Sequence, residues 1–177
     1  MWKDHPEKVC AFTEEFAAKN PKTVKAVLKA LHMASVWSDK MENRPKLAET
    51  VSQATYINCP PDIILARLQG KYDYGDGRNE QDPNYMIFNS RNCNYPQKTF
   101  GMWWLSQFRR WGMVKGTPDY NGIVNKIIRP DIYMEAMKEI DVRPKVDDMQ
   151  PVKLFDGTFD PKNPEKYGTG FPIHSMA

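Results

Sequence analysis

Prolines at the starts of the predicted helices limit most strongly how this chain can fold. The 177-residue sequence contains 14 prolines, and five of them precede apolar residues at helical spacing: Pro6, Pro21, Pro60, Pro96 and Pro130. Proline fits the first turn of a helix, where its missing N–H would have no partner, but it breaks a helix interior. The pattern therefore predicts a mainly helical chain made of many short helices.

Two helices are predicted before residue 40. Asp4 would cap the first, whose apolar face would be formed by Val9, Phe12 and Phe16. The second would follow Asn20 and continue to the region of Trp37. Its apolar residues predict burial on more than one side: Val24, Val27, Leu28, Leu31, Met33 and Trp37.

Two further helices and a loop are predicted up to residue 84. Asn43 is a candidate cap for a helix that runs through Val51, and the fourth helix would open at Pro60 and Pro61 and end at Gly70. Residues 71–84 are rich in turn formers and predict an ordered surface loop, held by Tyr72 and Tyr74. The acidic residues of this loop lack the spacing of a helix-flanked calcium loop.

The stretch from Tyr95 to Gly112 predicts a central helix with an aromatic face. It holds three of the five tryptophans and lies in a run, residues 83–118, without Asp or Glu. Aromatic residues recur at helical spacing and predict a buried face: Phe100, Trp104, Phe108 and Trp111, with Trp103 at its edge. Arg109 would point nearly opposite, into solvent.

Two residues of this helix are candidate ligand contacts. Trp103 and Arg110 fall on one side of the predicted helix. A guanidinium beside an indole can bind an anion or an aromatic ligand. The alternative is a core helix with no further role, because an apolar helical stripe usually packs in a core. Binding of single-stranded nucleic acid is less favoured, since aromatics on one face would be buried.

The rest of the chain divides at residue 142. Helices are predicted over residues 119–128 and 131–140. Residues 1–141 would form a helical body, and residues 142–177 a proline-rich extended arm packed on it, within one domain. The LFDGTFD segment predicts a small hairpin or an extended arm, tied to the body by Leu154, Phe155 and Phe159.

The composition describes an ordinary soluble globular chain. A net charge of +3 does not suggest a nucleic-acid partner. No apolar run is long enough to span a membrane, and no signal peptide is visible, so the protein is either cytoplasmic or part of a longer exported chain. The cysteines and histidines are few and scattered, so we expect buried free thiols, no metal, no cofactor and no enzymatic centre: Cys10, Cys59, Cys93, His5, His32 and His174.

Several stretches together resemble a known family. The segments are HPEKV, SDKMENRPKLAETVS, INCPPDII with ARLQGKYDYGDGR, YPQKTFGMWWLSQFRRWG and KLFDGTFDPKNPEKY. In this order they resemble the C-terminal portion of the nitrate/nitrite substrate-binding proteins of ABC importers and their bicarbonate-binding relatives. At the entry to the central helix, this chain has Thr99, Phe100 and Gly101 where the family has a polar triplet.

The resemblance implies a fold, partners and a location. The fold would be the helical C-terminal portion of a two-lobed α/β periplasmic-binding-protein fold of type II. Such a protein captures nitrate, nitrite or bicarbonate without chemistry and delivers it to an importer permease. This chain would need an N-terminal half or form a homo-oligomer, and it would be periplasmic or membrane-associated within an exported protein. Alternatives are an enzyme of the thiamine-pyrimidine-synthesis type on the same fold, or a helical protein-interaction module.

Overall fold

The computed structural model describes residue 2, residues 5–155 and residues 157–171, so Asp4 and His174 lie outside the described residues. Its helices and strands are α1 (Glu14–Lys19), α2 (Pro21–Asp39), α3 (Arg44–Val51), α4 (Pro61–Leu68), β1 (Lys71–Asp73), β2 (Asn79–Gln81), α5 (Lys98–Arg110), α6 (Tyr120–Ile127), α7 (Pro130–Lys138), β3 (Val152–Leu154), β4 (Gly157–Phe159) and α8 (Pro164–Thr169). The prediction of a mainly helical chain with short elements is confirmed.

The chain forms two compact units. Unit 1 comprises Met1–Ala26 and Tyr95–Ala177, and unit 2 comprises Val27–Asn94. This division differs from the predicted body and arm at residues 1–141 and 142–177, which stay a prediction.

Most helix starts follow the predicted signals. The helices α2, α4 and α7 begin at Pro21, Pro61 and Pro130. Asp119 caps α6, because its Oδ1 accepts a hydrogen bond from the backbone N–H of Gly122 at 2.9 Å. These local signals therefore fixed the starts of four helices.

The first helix begins later than predicted. Residues 5–13 are not helical, and Val9, expected on an apolar face, is 83% exposed. Thr13 caps α1 by accepting a hydrogen bond from the backbone N–H of Phe16 at 3.1 Å. Glu14 and Glu15 then occupy the first turn, where the helix dipole favours acids. The cap at Thr13 thus determines where α1 begins.

The predicted burial of α2 on more than one side is wrong. Val24 is 3% exposed, but Leu31 is 45%, Met33 is 64% and Trp37 is 41% exposed. An apolar helix face is buried only where another element covers it. Periodicity predicted the helix correctly but not what packs against it.

The core of unit 2 lies between α3 and α4. Ala48, Ile64 and Leu68 are buried there and contact Met86 and Phe88. Asn43 precedes α3 as predicted, but its side chain does not cap the helix. Its amide instead donates a hydrogen bond to the carbonyl of Trp37 at 2.8 Å.

A buried arginine and an aspartate hold the following loop to this core. Arg44 is 2% exposed and donates to the carbonyls of Leu68 and Met86 at 3.1 and 3.2 Å. Its guanidinium also lies 4.7 Å from the ring centre of Phe88. Asp39, 3.7 Å from Arg44, accepts from three consecutive backbone N–H groups, those of Phe88, Asn89 and Ser90. Arg44 and Asp39 therefore supply hydrogen-bond partners for the backbone of the segment that leads into a short 3-10 helix, Ser90–Asn92.

The predicted loop at residues 71–84 contains a short hairpin. The strands β1 and β2 pair antiparallel, with Tyr72 opposite Glu80. The ring of Tyr72 stacks against the Arg67 guanidinium of α4 at 4.5 Å and meets Tyr85 at 4.5 Å between ring centres. The expectation that Tyr72 holds this segment to the domain is confirmed, whereas Tyr74 is 48% exposed and contacts Glu80 and Arg78 of the same segment.

The predicted aromatic face of α5 is only partly buried: Phe100, Trp103 and Phe108 are half-buried against the core of unit 1. Trp104 and Trp111 are 42% and 40% exposed. Arg109, expected in solvent, is mostly buried. The buried residues are instead mainly small or flexible: Thr99, Gly101, Met102, Leu105, Ser106 and Gln107.

Close approach of two helices explains this choice of face. A Cβ at Gly101 would lie 3.0 Å from side-chain atoms of Val124 and Ile128, so α6 packs directly on this glycine. A Cβ at Gly168 of α8 would likewise lie 3.0 Å from the carbonyl oxygen of Ser106. Small residues allow these contacts, whereas an indole on the same face would hold the helices apart.

The C-terminal part of unit 1 is a hairpin followed by a helix. The strands β3 and β4 form the predicted hairpin, in which Leu154 is 6% exposed and Phe159 is fully buried. The prediction that Phe155 ties the segment down is wrong, since Phe155 is 78% exposed. The helix α8 was not predicted, although it packs on α5.

The free cysteines correct another expectation. All three thiols are free, as expected, but Cys10 and Cys93 are exposed rather than buried. Within the described ranges, no helix combines the length and apolar character needed to cross a membrane.

We expect Asp39→Ala to lower the free energy of unfolding by about 3 kcal/mol at pH 7, because three backbone N–H groups lose their acceptor and the buried Arg44 guanidinium loses its carboxylate partner. Burial opposes ionisation, but the hydrogen bonds from Phe88, Ser90 and Asn89 outweigh it and lower the pKa of Asp39. A lowered carboxyl pKa stabilises the fold above about pH 3.9, and this stabilisation is lost as the pH falls through the folded pKa. Urea unfolding at pH 7 and pH 3 measures both effects.

Asp76→Ala is the matched control, since among the described residues Asp76 contacts only Arg78, whose backbone N–H lies at 3.1 Å and whose exposed guanidinium lies at 2.8 Å. Its expected cost is below about 1 kcal/mol. Equal losses for the two variants would show that the Asp39 contacts do not stabilise unit 2.

Candidate functional site

A polar network lies at the C-terminal half of α5 in unit 1. Glu165 of α8 accepts hydrogen bonds from the hydroxyls of Thr117 and Tyr120, at 3.0 and 2.8 Å. The Nε atom of Arg109 lies 3.5 Å from the same carboxylate. One acidic side chain thus connects the end of α5, the start of α6 and α8.

Two tyrosines of unit 1 have raised pKa values. Burial, reinforced by the hydrogen bond to Glu165, raises the pKa of Tyr120 far above its ordinary value. Burial and a hydrogen bond to Asp148 raise the pKa of Tyr95 to about 12. Both phenols stay protonated at neutral pH and act as hydrogen-bond donors, not as bases.

Arg110, the first candidate ligand contact, stacks on an aromatic ring. Its guanidinium carbon lies 3.9 Å from the ring centre of Phe171. Across the described ranges, Arg110 has no carboxylate partner, in contrast to Arg109. Stacking leaves the edge of a guanidinium, where its N–H groups lie, open to an anion.

Trp103, the second candidate, belongs to an aromatic cluster. Its ring meets Trp2 and Trp104, with centres 5.5 and 5.0 Å apart. Its Nε1 atom is buried and has no hydrogen-bond acceptor in the part of the chain that the structure describes. An indole N–H without an acceptor is a donor that a ligand could use only if the cluster opened.

The two candidates share a helix side but do not meet. No ring or cation–π contact joins Trp103 to Arg110 among the described residues. Seven residues are almost two helical turns, which separates the two Cα atoms by roughly 10 Å along the axis. The helical spacing predicted their direction, not a common binding point.

The exposed end of α5 carries a second group of rings. Trp104, Phe108 and Trp111 contact one another with centres 6.0 to 6.4 Å apart. The sequence had placed these rings in the core, and the two tryptophans are in fact among the exposed large side chains.

A surface cavity of about 550 Å³ lies beside the Glu165 network. Its charged lining consists of Lys162 and Lys166 together with Asp119 and Glu165. Two cations and two carboxylates leave no excess positive charge to select an anion. No group of three or more His, Cys, Asp or Glu in the described part could hold a metal ion.

Sequence inspection missed the central acid of this network. Nothing in the spacing around Glu165 connects it to Tyr120 or Arg109, which lie more than 40 residues away. The only available signal was Pro164 followed by an acid, a common helix start.

Comparison with known proteins shows which proteins this chain resembles in sequence and in backbone structure. The profile of the NMT1-like family matches residues 1–52. The nitrate/nitrite binding protein NrtA of Synechococcus elongatus is 37% identical over 99% of this chain. The crystal structure of the periplasmic nitrate-binding protein NrtA from Synechocystis PCC 6803 superposes on 97% of this chain with a TM-score of 0.90 and 33% identity. The chain is homologous to the C-terminal portion of the nitrate/nitrite-binding proteins.

The chain spans less than half of these relatives. It covers 41% of the Synechococcus protein and 46% of the chain in the Synechocystis structure. The nitrate import ATP-binding protein NrtC of Synechocystis is also similar, at 31% identity over 98% of this chain and 26% of its own length. The predicted resemblance and the predicted fold, a helical portion of a periplasmic binding protein, are confirmed.

We expect Tyr120→Phe to lower the free energy of unfolding by about 1–2 kcal/mol at pH 7, because Glu165 loses a charge-assisted hydrogen bond. A raised phenol pKa stabilises the fold fully below about pH 10. Above that pH the unfolded phenol ionises first, so the advantage over the variant shrinks as the pH rises towards the folded pKa. Urea unfolding between pH 7 and pH 11 measures this.

Tyr56→Phe provides the control, because Tyr56 is 66% exposed and its hydroxyl has no partner in the described ranges. It should change the stability by less than about 0.5 kcal/mol. If Tyr120→Phe also changed the free energy of unfolding by less than about 0.5 kcal/mol at every pH, the Glu165 network would not stabilise unit 1.

Proposed function

We propose that this chain serves as the C-terminal portion of a solute-binding protein that captures a small anion for an ABC-type importer. The observation that carries the proposal is the similarity to NrtA over nearly the whole chain, in both sequence and backbone. The anion would be nitrate, nitrite or bicarbonate, and the protein would work at the periplasmic side of the membrane, where it meets the importer permease. The similar segment in NrtC also favours a role in nitrate import.

Capture would require no covalent chemistry. The similar proteins are named as binding and transport components, which favours a protein that is not an enzyme and lends no support to the thiamine-pyrimidine alternative. A solute-binding protein needs a pocket with convergent donors, and it acts by a ligand-dependent population shift.

The chain by itself has few groups suited to an anion. Arg110 offers an unpaired guanidinium edge, and Trp103 offers an indole N–H, but the two lie almost two helical turns apart. We therefore propose that these residues contribute at most part of a site, and that most anion contacts come from the portion of the fold outside this match.

Isothermal titration calorimetry tests whether most anion contacts lie outside this chain. We expect no measurable heat when the 177-residue chain is titrated with nitrate, nitrite or bicarbonate, which corresponds to a Kd above about 1 mM. An NrtA chimera, in which this chain replaces the matching 182-residue segment of the Synechococcus protein, should bind at least one of these anions. A folded chimera that binds none of the three anions would contradict the proposed function.

Substitution in the NrtA chimera tests Arg110. Arg110→Gln should weaken anion binding by roughly tenfold or more, because a charge-assisted hydrogen bond is lost. Arg143→Gln, at an exposed guanidinium paired with the exposed Asp141, should leave the affinity unchanged. Equal affinities in the two variants would exclude Arg110 as an anion contact.

A further inference from the structure

The carboxylate of Asp39 lies in a cluster of hydrogen-bond donors within unit 2. Its Oδ1 atom accepts a hydrogen bond from the backbone N–H of Phe88 at 2.7 Å. Its Oδ2 atom accepts from the backbone N–H groups of Asn89 and Ser90 at 3.0 and 2.6 Å, and from the Ser90 hydroxyl at 2.9 Å. Consecutive backbone N–H groups that point to one place form a concave site for anions. Phe88, Asn89, Ser90 and Arg44 together are termed the oxyanion nest.

Arg44 adds a buried positive charge to the nest, independently of the backbone donors. It is 2% exposed, and its Nη2 atom lies 3.7 Å from Oδ1 of Asp39. Its Nη atoms donate to the carbonyls of Leu68 and Met86, whereas its buried Nε has no acceptor in the part of the chain that the structure describes. A buried guanidinium without a nearby anion is an uncompensated charge, so Arg44 favours an oxyanion at the same point as the N–H groups.

The position of Asp39 in its own helix does not explain why an acid is found there. Asp39 is the last residue of α2, where the helix dipole disfavours a negative charge. Burial also opposes ionisation, yet the hydrogen bonds from Phe88, Ser90 and Asn89 outweigh it and lower the pKa of this carboxyl group. The interactions that stabilise the carboxylate therefore come from the nest, and Asp39 binds there as a ligand would.

We propose that the nest is a binding site for a small planar oxyanion, which Asp39 occupies in this chain, and that the nest takes up formate from solution when the Asp39 side chain is removed. Formate carries two oxygens on one carbon, as the Asp39 carboxylate does, and can accept the same charge-assisted hydrogen bonds. Asp39→Gly removes Cβ together with the carboxylate and leaves room for the formate carbon. Glycine is well tolerated where a helix ends.

The proposal also sets a size limit on the anion. A non-bonded carbon stays roughly 3.5 Å from the backbone carbon of residue 39, so the methyl group of acetate has less room than the hydrogen of formate. The inference does not rest on the proposed function. Its residues all lie in unit 2, and formate is not one of the anions proposed for the importer.

Thermal unfolding of the 177-residue Asp39→Gly variant tests the nest. At pH 7, about 0.5 M sodium formate should raise its Tm by about 3–6 °C relative to the same concentration of sodium chloride, which corresponds to a roughly tenfold gain in the ratio of folded to unfolded chain. Acetate should give a smaller shift. Equal Tm values in formate and chloride would overturn the proposal. If the variant is unfolded in chloride, formate should restore the helical circular-dichroism signal, and a chain that stays unfolded in formate would equally overturn it.

Two proteins in which the nest is filled are the matched controls. The unchanged chain keeps the carboxylate, and Asp39→Asn keeps an amide of the same shape in its place. Formate should shift the Tm of either protein by less than about 1 °C relative to chloride, because a ligand stabilises a fold only where it finds a free site. A shift in Asp39→Asn equal to that in Asp39→Gly would reveal a general salt effect and contradict the proposal.

Amide NMR spectra of the isotope-labelled Asp39→Gly variant locate the bound anion. Formate should move the backbone signals of Phe88, Asn89 and Ser90. Adding Ser90→Ala should weaken formate binding roughly threefold or more, because the hydroxyl donor is lost. Signals that move only outside residues 86–90, or an unchanged affinity in the double variant, would assign formate to another site. Such a failure leaves the proposed function untouched, since the NrtA chimera tests nitrate, nitrite and bicarbonate separately.

Discussion

The direct packing of small residues of α5 against α6 and α8 is the constraint on which unit 1 depends. Gly101 leaves room for the side chains of Val124 and Ile128, and Gly168 packs against the backbone of Ser106. Once these helices are in contact, Met102 and Leu105 are enclosed with Phe159 in the same core. The indole of Trp103 then contacts Trp2, and the indole of Trp104 is partly exposed to solvent. The choice of buried face, and with it the position of Arg110, follows from residue size more than from hydrophobicity.

Unit 2 is held together by polar contacts as much as by its core. Its apolar cluster is small, with Ala48, Ile64 and Leu68 at its centre. The buried Arg44 and the carboxylate of Asp39 fix the loop at residues 86–90 by satisfying its backbone groups. A buried guanidinium is tolerated here because carbonyls, a carboxylate and an aromatic ring surround it.

Local signals predicted the helices well and their surroundings poorly. Prolines and caps placed the starts of α2, α4, α6 and α7, because those signals act within one turn. The exposure of Leu31 and Trp104 depends on which element lies opposite, and periodicity contains no such information. The partners of Glu165 come from α5, from the segment before α6 and from the first residue of α6, all distant in sequence. Trp103 and Arg110 were correctly placed on one helix side, but the rise of the helix separates them.

A division of roles follows from these features. Under the proposed function, this chain contributes a helical scaffold in which Arg110 has no carboxylate partner among the described residues, and most anion contacts come from the portion of the fold outside this match. The most direct measurement is the crystal structure of the NrtA chimera with bound nitrate. The account predicts an anion held mainly by residues that precede this chain, with at most a contact from Arg110 or Trp103. An anion enclosed entirely by residues of this chain would contradict it.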